Sequence, residues 1–234
     1  MEGYVFLALV LLSGLVAASL QLPLGSLLLL YHASLGKNVR EKTKRLASSF
    51  ISGVTLMNFL LLASACFLVS VLSTSGTLSK TSLAVLFGIL VALGLAAWFF
   101  YYKLGKSTEL WLPRRLAKFI DSRAKETDDV SEAFSLGILT SLAEILFLGP
   151  LIVVSADAIL QIDPLFEALS LVLFTLLSVL PLISLRFALR NGKNVADVQC
   201  WRLKNKTFFR IFSGFGFIIL AVFLLAFVIL GGKV

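Results

Sequence analysis

Hydrophobic positions in this chain neither alternate nor form a narrow helical stripe. They run on in long blocks, with the polar residues gathered between them. Six blocks reach the length of about 20 apolar residues that a helix needs to cross a bilayer. They extend from Tyr4 to Tyr31, Leu46 to Leu72, Leu83 to Tyr102, Ala133 to Leu160, Leu165 to Leu185 and Phe212 to Leu230. Barrel strands would instead alternate over about 10 residues. The pattern predicts an all-α polytopic membrane protein with six transmembrane helices. Proline interrupts two of the blocks, at QLPLG (Gln21 to Gly25) in the first and at Pro181 in the fifth. Pro181 is either a hinge or a tolerated kink, since proline removes a helical hydrogen bond.

The fourth block needs the most explanation. AFSLGILTSLAEILFLGPLIVVSA, from Ala133 to Ala156, carries a single charge, Glu144, near its middle. An acid at the bilayer centre costs about 2.5–3.5 kcal/mol on insertion scales. Pro150, preceded by Gly149, predicts that the helix loosens beyond the acid. Other spans also place polar side chains at similar depth: Gln21 in the first, Asn58 in the second, Ser141 in the fourth, Thr175 and Ser178 in the fifth. Lipid cannot hydrogen-bond such groups, so they turn to the bundle interior or to a wet cavity.

Glu144, Gln21, Asn58 and Ser141 are therefore the candidate solute or ion site, with Pro23, Pro150 and Pro181 as candidate helix breaks or gating points. A structural reading stands beside this one. Gln21 and Asn58 serve equally well as interhelical hydrogen-bonding glue, and Glu144 as a buried, protonated acid bonded to a neighbour. Small residues accompany both proline-bearing spans, with Gly14, Ala17, Ala18 and Gly25 in the first and Gly137, Thr140 and Ser141 in the fourth. Small faces let helices approach closely, so these two spans are expected to pack together. The same faces could instead serve a homodimer. His32, at the end of the first span, is assigned to the surface, and Asp157 to the solvated outer interface.

Composition agrees with the pattern. Of 234 residues, 59% are hydrophobic and 15% charged, with mean hydropathy +0.98, far from an ordinary soluble domain. The net charge of +8 would raise nucleic acid as a partner, but the placement of the basic residues explains it better. Nineteen of the 21 Lys and Arg fall in the loops after the first, third and fifth blocks. With six spans those loops share one face, the cytoplasmic one by the positive-inside rule, and both termini lie outside the cytoplasm. Trp111 to Lys125 (WLPRRLAKFIDSRAK) predicts an amphipathic helix along the inner membrane surface, with anionic lipid as partner; the alternative is a solvated linker. DDVSE (Asp128 to Glu132) puts acids before the fourth span, with Asp129 and Glu132 spaced as a capping box. Gly36 and Gly192, each opening GKNV after a span, are expected to be helix C-caps.

Much else is excluded by chemistry. Cys66 and Cys200 have no disulfide or metal-ligand spacing, and no metal or cofactor is expected. No Lys or Arg precedes the first apolar run, so a signal peptide is not expected either. With one histidine and no Ser/His/Asp set at plausible depth, the chain is not read as an enzyme.

Two segments resemble the lysine-exporter (LysE-type) superfamily, which also takes in the transmembrane domains of DsbD–CcdA thiol electron carriers. They are SLQLPLGSLLLLYHASLGKNVREKTKRLASSFISG, from Ser19 to Gly53, and AFSLGILTSLAEILFLGPL, from Ala133 to Leu151. The resemblance implies a 3+3 inverted repeat in one six-helix domain, with halves 1–102 and 133–234 joined by a linker over 103–132. It also implies that the prolines of the first and fourth helices flank a central site. The exporters' double-proline pattern is only LPLG here. Gln21 and Glu144 stand near the positions where the electron carriers place cysteines, so a thiol relay is not expected.

The reading is an inner-membrane transporter exporting a small solute or cation through a site around Glu144. The alternative is a non-transporting scaffold or accessory subunit for envelope lipid or protein assembly.

Overall fold

The computed structural model describes residues 2–20, 22–33, 40–73, 77–101, 114–191 and 194–229. Gln21, Gly36, Tyr102, Trp111 to Pro113, Gly192 and Leu230 lie outside the described residues, as does the side chain of His32. Among the described residues ten α-helices follow in order: α1 (Glu2–Ala18), α2 (Leu22–Ala33), α3 (Arg40–Leu72), α4 (Lys80–Ala96), α5 (Arg114–Glu126), α6 (Val130–Ala143), α7 (Ile145–Ile159), α8 (Pro164–Arg190), α9 (Val195–Lys204) and α10 (Lys206–Phe223). Two π-helical segments, Ala97–Tyr101 and Leu224–Ile229, extend α4 and α10. No strand occurs among the described residues.

Four of these helices are long and apolar enough to cross a membrane: α3, α8, and α4 and α10 with their extensions. The other two apolar blocks are bent pairs, α1 with α2 at 44° and α6 with α7 at 78°. Counting each pair as one span gives up to six. Large apolar side chains such as Phe67, Leu68, Val71, Leu165, Leu176 and Ile219 remain exposed on the outer surface, as suits a multi-pass membrane protein. Lys and Arg extend several helices beyond their apolar blocks. Thus α3 begins at Arg40, before Leu46, and α10 at Lys206, before Phe212.

Both breaks have local causes. In the first, the N–H groups of Ser19 and Leu20 bond the carbonyls of Val16 and Ala17, tightening the last turn of α1. Pro23 then stands at the second residue of α2, where a missing N–H costs nothing. In the second, Glu144 leaves helical geometry with φ −88° and ψ 7°, ending α6 and starting α7. This corrects the expected position of the break: Pro150 lies inside α7. The residue four before it, Leu146, whose carbonyl the ring displaces, stays within α7, so the break at Glu144 is not at the proline. Pro181 sits within an unbroken α8.

Buried apolar residues form two clusters stacked along the bundle. One joins α1, the later part of α3, α4, α7, the Phe174 level of α8, and α10. The other joins α2, the early part of α3, α5, α6 and the Val179–Leu185 level of α8. Thus α3 and α8 pass through both layers, and each bent pair changes layer at its break. Amphipathic α5 buries Ile120 and Ala124 in the second layer, while Lys118, Phe119 and Arg123 stay exposed.

Helix contacts refine the expected packing. The first and fourth blocks do meet, α1 against α7 and α2 against α6. Yet the most extensive contact of α6 is with α3. A Cβ on Gly137 would strike the Phe50 carbonyl, and one on Gly53 the Phe134 carbonyl. The two helices thus touch backbone to backbone, which only small residues permit. Gly14 instead faces Leu177 of α8. Ahead of α6, Asp129 accepts from the Val130 N–H at 2.7 Å and from the Ser131 hydroxyl at 2.5 Å. The Glu132 carboxylate accepts from the Asp128 N–H at 3.4 Å. The reciprocal capping box is therefore replaced: Asp129 caps the first helical N–H, and Glu132 reaches past it to Asp128.

Candidate functional site

The polar residues at membrane depth lie at the seam between the two apolar layers. Glu144 occupies the break between α6 and α7, where leaving the helix turns its carboxyl toward the start of α2. There its Oε1 accepts the Leu22 N–H at 2.8 Å. That N–H is the first of a helix and has no partner within it, and the α2 dipole further favours an anion at this end. Glu144 is 3% exposed. Arg202 of α9 is close enough for its charge to act on the carboxylate.

Asn58 arrives from the middle of α3 and is buried. Its Nδ2 donates to the Ser178 hydroxyl of α8 at 3.1 Å, and Ser178 donates to the Thr175 carbonyl at 2.8 Å. The other end of the amide, Oδ1, has no partner among the described residues, and neither does the buried Ser141 hydroxyl of α6. An unpaired polar atom in a dry interior costs about 1–3 kcal/mol. Two of them beside a carboxylate therefore mark unused hydrogen-bonding capacity.

These groups share one cavity. Its lining includes Asn58, Ser141, Glu144, Ser178, Pro23 and Pro181, with the small walls Ala17 and Ala18. Its volume is about 20 Å³ for the centre of a water molecule, room for roughly one water. A larger solute requires the helices to part.

The structure thus brings together Glu144, Asn58, Ser141, Pro23 and Pro181. Pro150 does not line the cavity; it lies farther along α7. Thr175 bonds its own helix through the Leu171 carbonyl. Both unpaired atoms are able to accept a hydrogen bond, as is the carboxylate, so the cavity suits a donor: an ammonium or guanidinium group, a hydrated proton, or water.

Two other residues depart from the sequence reading. Asp157, expected at the solvated interface, is 3% exposed. Its Oδ1 accepts the Leu78 N–H at 2.6 Å and its Oδ2 accepts from Gln161 Nε2 at 2.9 Å. The approach to α4 folds over it, which no local pattern around DAILQ announces. Arg202, counted among the cytoplasmic basic residues, reaches inward to α2. Gly25 signals a close approach there but does not name the visitor.

Cys66 and Cys200 are free thiols, and no group of three or more His, Cys, Asp or Glu among the described residues is placed to share a metal ion. Comparison of the chain with protein-family models, curated proteins and solved structures finds no match.

Proposed function

We propose that the chain is a six-span carrier of an inner (cytoplasmic) membrane, exporting a small cationic solute through the Glu144 site. The observation that carries this reading is the pair of unpaired acceptor-capable atoms, Asn58 Oδ1 and Ser141 Oγ, at one cavity with a buried carboxylate. The unpaired hydroxyls of Ser26 and Ser155 stand apart from this cavity, so it is the convergence of two such atoms with a carboxylate that sets the site apart. The cavity lies between two broken helices, the construction from which transporters make midplane sites.

Six spans are supported by the way each bent pair leaves one apolar layer for the other; a re-entrant loop would return to the same layer. The 3+3 inverted repeat is supported by matching halves. Each half has a broken helix, a long unbroken helix and a helix ending in a π segment. The packing also survives exchange of the halves. The α3–α6 contact has its counterpart in α8–α1, α3–α7 in α8–α2, and α1–α7 in α6–α2. These features agree with LysE-type kinship, which is part of the proposal. So are termini outside the cytoplasm and the absence of enzymatic chemistry.

The test is flux of small amines, guanidinium compounds and monovalent cations in proteoliposomes. Flux that depends on the protein and disappears in E144Q supports the carrier. The scaffold reading has one observation in its favour, the exposed basic face of α5 with Lys118 and Arg123. It gains if no solute moves and the chain instead binds anionic vesicles through that face.

A further inference from the structure

Arg202 belongs by sequence to the basic loops, yet its side chain turns inward and is half-buried. Its guanidinium nitrogens lie 3.5 and 3.6 Å from the point where a Cβ on Gly25 would stand. Glycine there leaves room for the planar group against the α2 backbone. Gly25 is within one turn of Leu22, whose N–H holds the Glu144 carboxylate. From that turn α2 runs on toward Ala33 and the basic loop after it, so the guanidinium stands on the loop side of the acid. The half-buried guanidinium and the Glu144 carboxylate thus flank the same first turn of α2, near enough for the charge of one to act on the other.

We propose that Arg202 is a tethered counter-ion for Glu144: α9 supplies, from within the chain, the cation that the midplane site is built to hold, and closes the site on the loop side until it withdraws. The proposal rests on the carrier reading and deepens it by naming the ligand class. A solute that replaces Arg202 must bring a compact organic cation of guanidinium or ammonium type, with N–H donors for Asn58 Oδ1 and Ser141 Oγ. Loading then consists of exchanging one cation for another, so the carboxylate is never left unpaired in the interior.

The test is thermal unfolding of the full-length chain in lipid nanodiscs with and without millimolar ethylguanidinium. A ligand that binds only the folded state raises its midpoint. R202A is expected to be stabilised by ethylguanidinium more strongly than the wild type or K204A on the same helix, and E144Q/R202A not at all. An unshifted R202A that still unfolds cooperatively overturns the proposal, as does an equal shift in E144Q/R202A. If R202A does not fold, R202Q keeps most of the stem and enters a double-mutant cycle with E144Q. The loss of stability from R202Q should then be smaller in the E144Q background, and additive losses overturn the idea. Neither readout needs transport. Ethylguanidinium binding by R202A in a chain that moves no solute keeps the counter-ion and removes the carrier. Flux abolished in E144Q, with no ethylguanidinium binding in R202A, does the reverse.

Discussion

Glu144 at the start of α7 and Asp157 near its end are equally shielded, at 3% exposure each. Each accepts a backbone N–H from another segment, Leu22 at 2.8 Å in one case and Leu78 at 2.6 Å in the other. By burial and first partner they are indistinguishable, and they part at the next neighbour. Gln161 completes the shell of Asp157 by donating to its second oxygen at 2.9 Å and to its carbonyl at 3.1 Å. Glu144 instead opens on a cavity where Asn58 and Ser141 still have unpaired oxygens. Burial of an acid therefore does not mark a site, and neither does a lone unpaired hydroxyl such as that of Ser155; unpaired atoms gathered with the acid at one cavity do.

The contrast is broken most directly at Glu144 itself. E144Q retains an oxygen for the Leu22 N–H but loses the charge, so flux should fall to the protein-free background while the chain still unfolds cooperatively, less stable only by the lost coupling to Arg202. E144A also strands the Leu22 N–H and should cost about 1–3 kcal/mol of stability, measured by chemical unfolding in mixed micelles. At Asp157 the two readouts should trade places. D157A leaves the Leu78 N–H without a partner and should cost a similar ~1–3 kcal/mol, with flux per folded molecule preserved. If D157A abolished flux with its fold intact, the distinction between the two acids would collapse.

Smaller effects sharpen it. N58A removes one ligand of the cavity and should slow flux about tenfold, the equivalent of ~1.4 kcal/mol. Q161A should lower stability by about 1 kcal/mol and leave flux alone. The smallest effect is expected at Asp129, an exposed acid that caps α6. The Ser131 hydroxyl and the Val130 N–H hold its carboxyl below the usual carboxylate range. Its folded-state value is thus depressed. The stability it lends is present above the unfolded-state value and is lost as pH falls through the folded one. D129N should flatten that acid limb slightly in a pH series of unfolding midpoints, with no change near neutrality beyond the lost cap.

The apolar blocks, the clustering of basic residues, the amphipathic α5 and the isolated Glu144 are all legible in the sequence, because each depends on composition or spacing within one segment. The break in the fourth block was misplaced at Pro150 for an instructive reason. Proline marks where a hydrogen bond is missing, but a helix yields where another element can use the freed geometry, and here that element is the start of α2. Small residues were legible as contact faces without their partners: Gly137 serves α3, Gly14 serves α8 and Gly25 receives Arg202. Asp157 was misread because residues before α4, far away in the chain, bury it.

By itself the sequence determined that the chain is helical, that its helices are apolar enough for a bilayer, and that one of them carries an acid at mid-depth. Those properties follow from transfer free energies and local geometry, which each segment carries with it. Only the tertiary structure decided that the acid faces two unpaired oxygens, that a second acid is fully satisfied, and that an arginine from the basic loops turns inward against α2. Whether a polar atom is paired depends on neighbours contributed by other segments, and in this chain those neighbours come from α2, α3, α8 and the approach to α4.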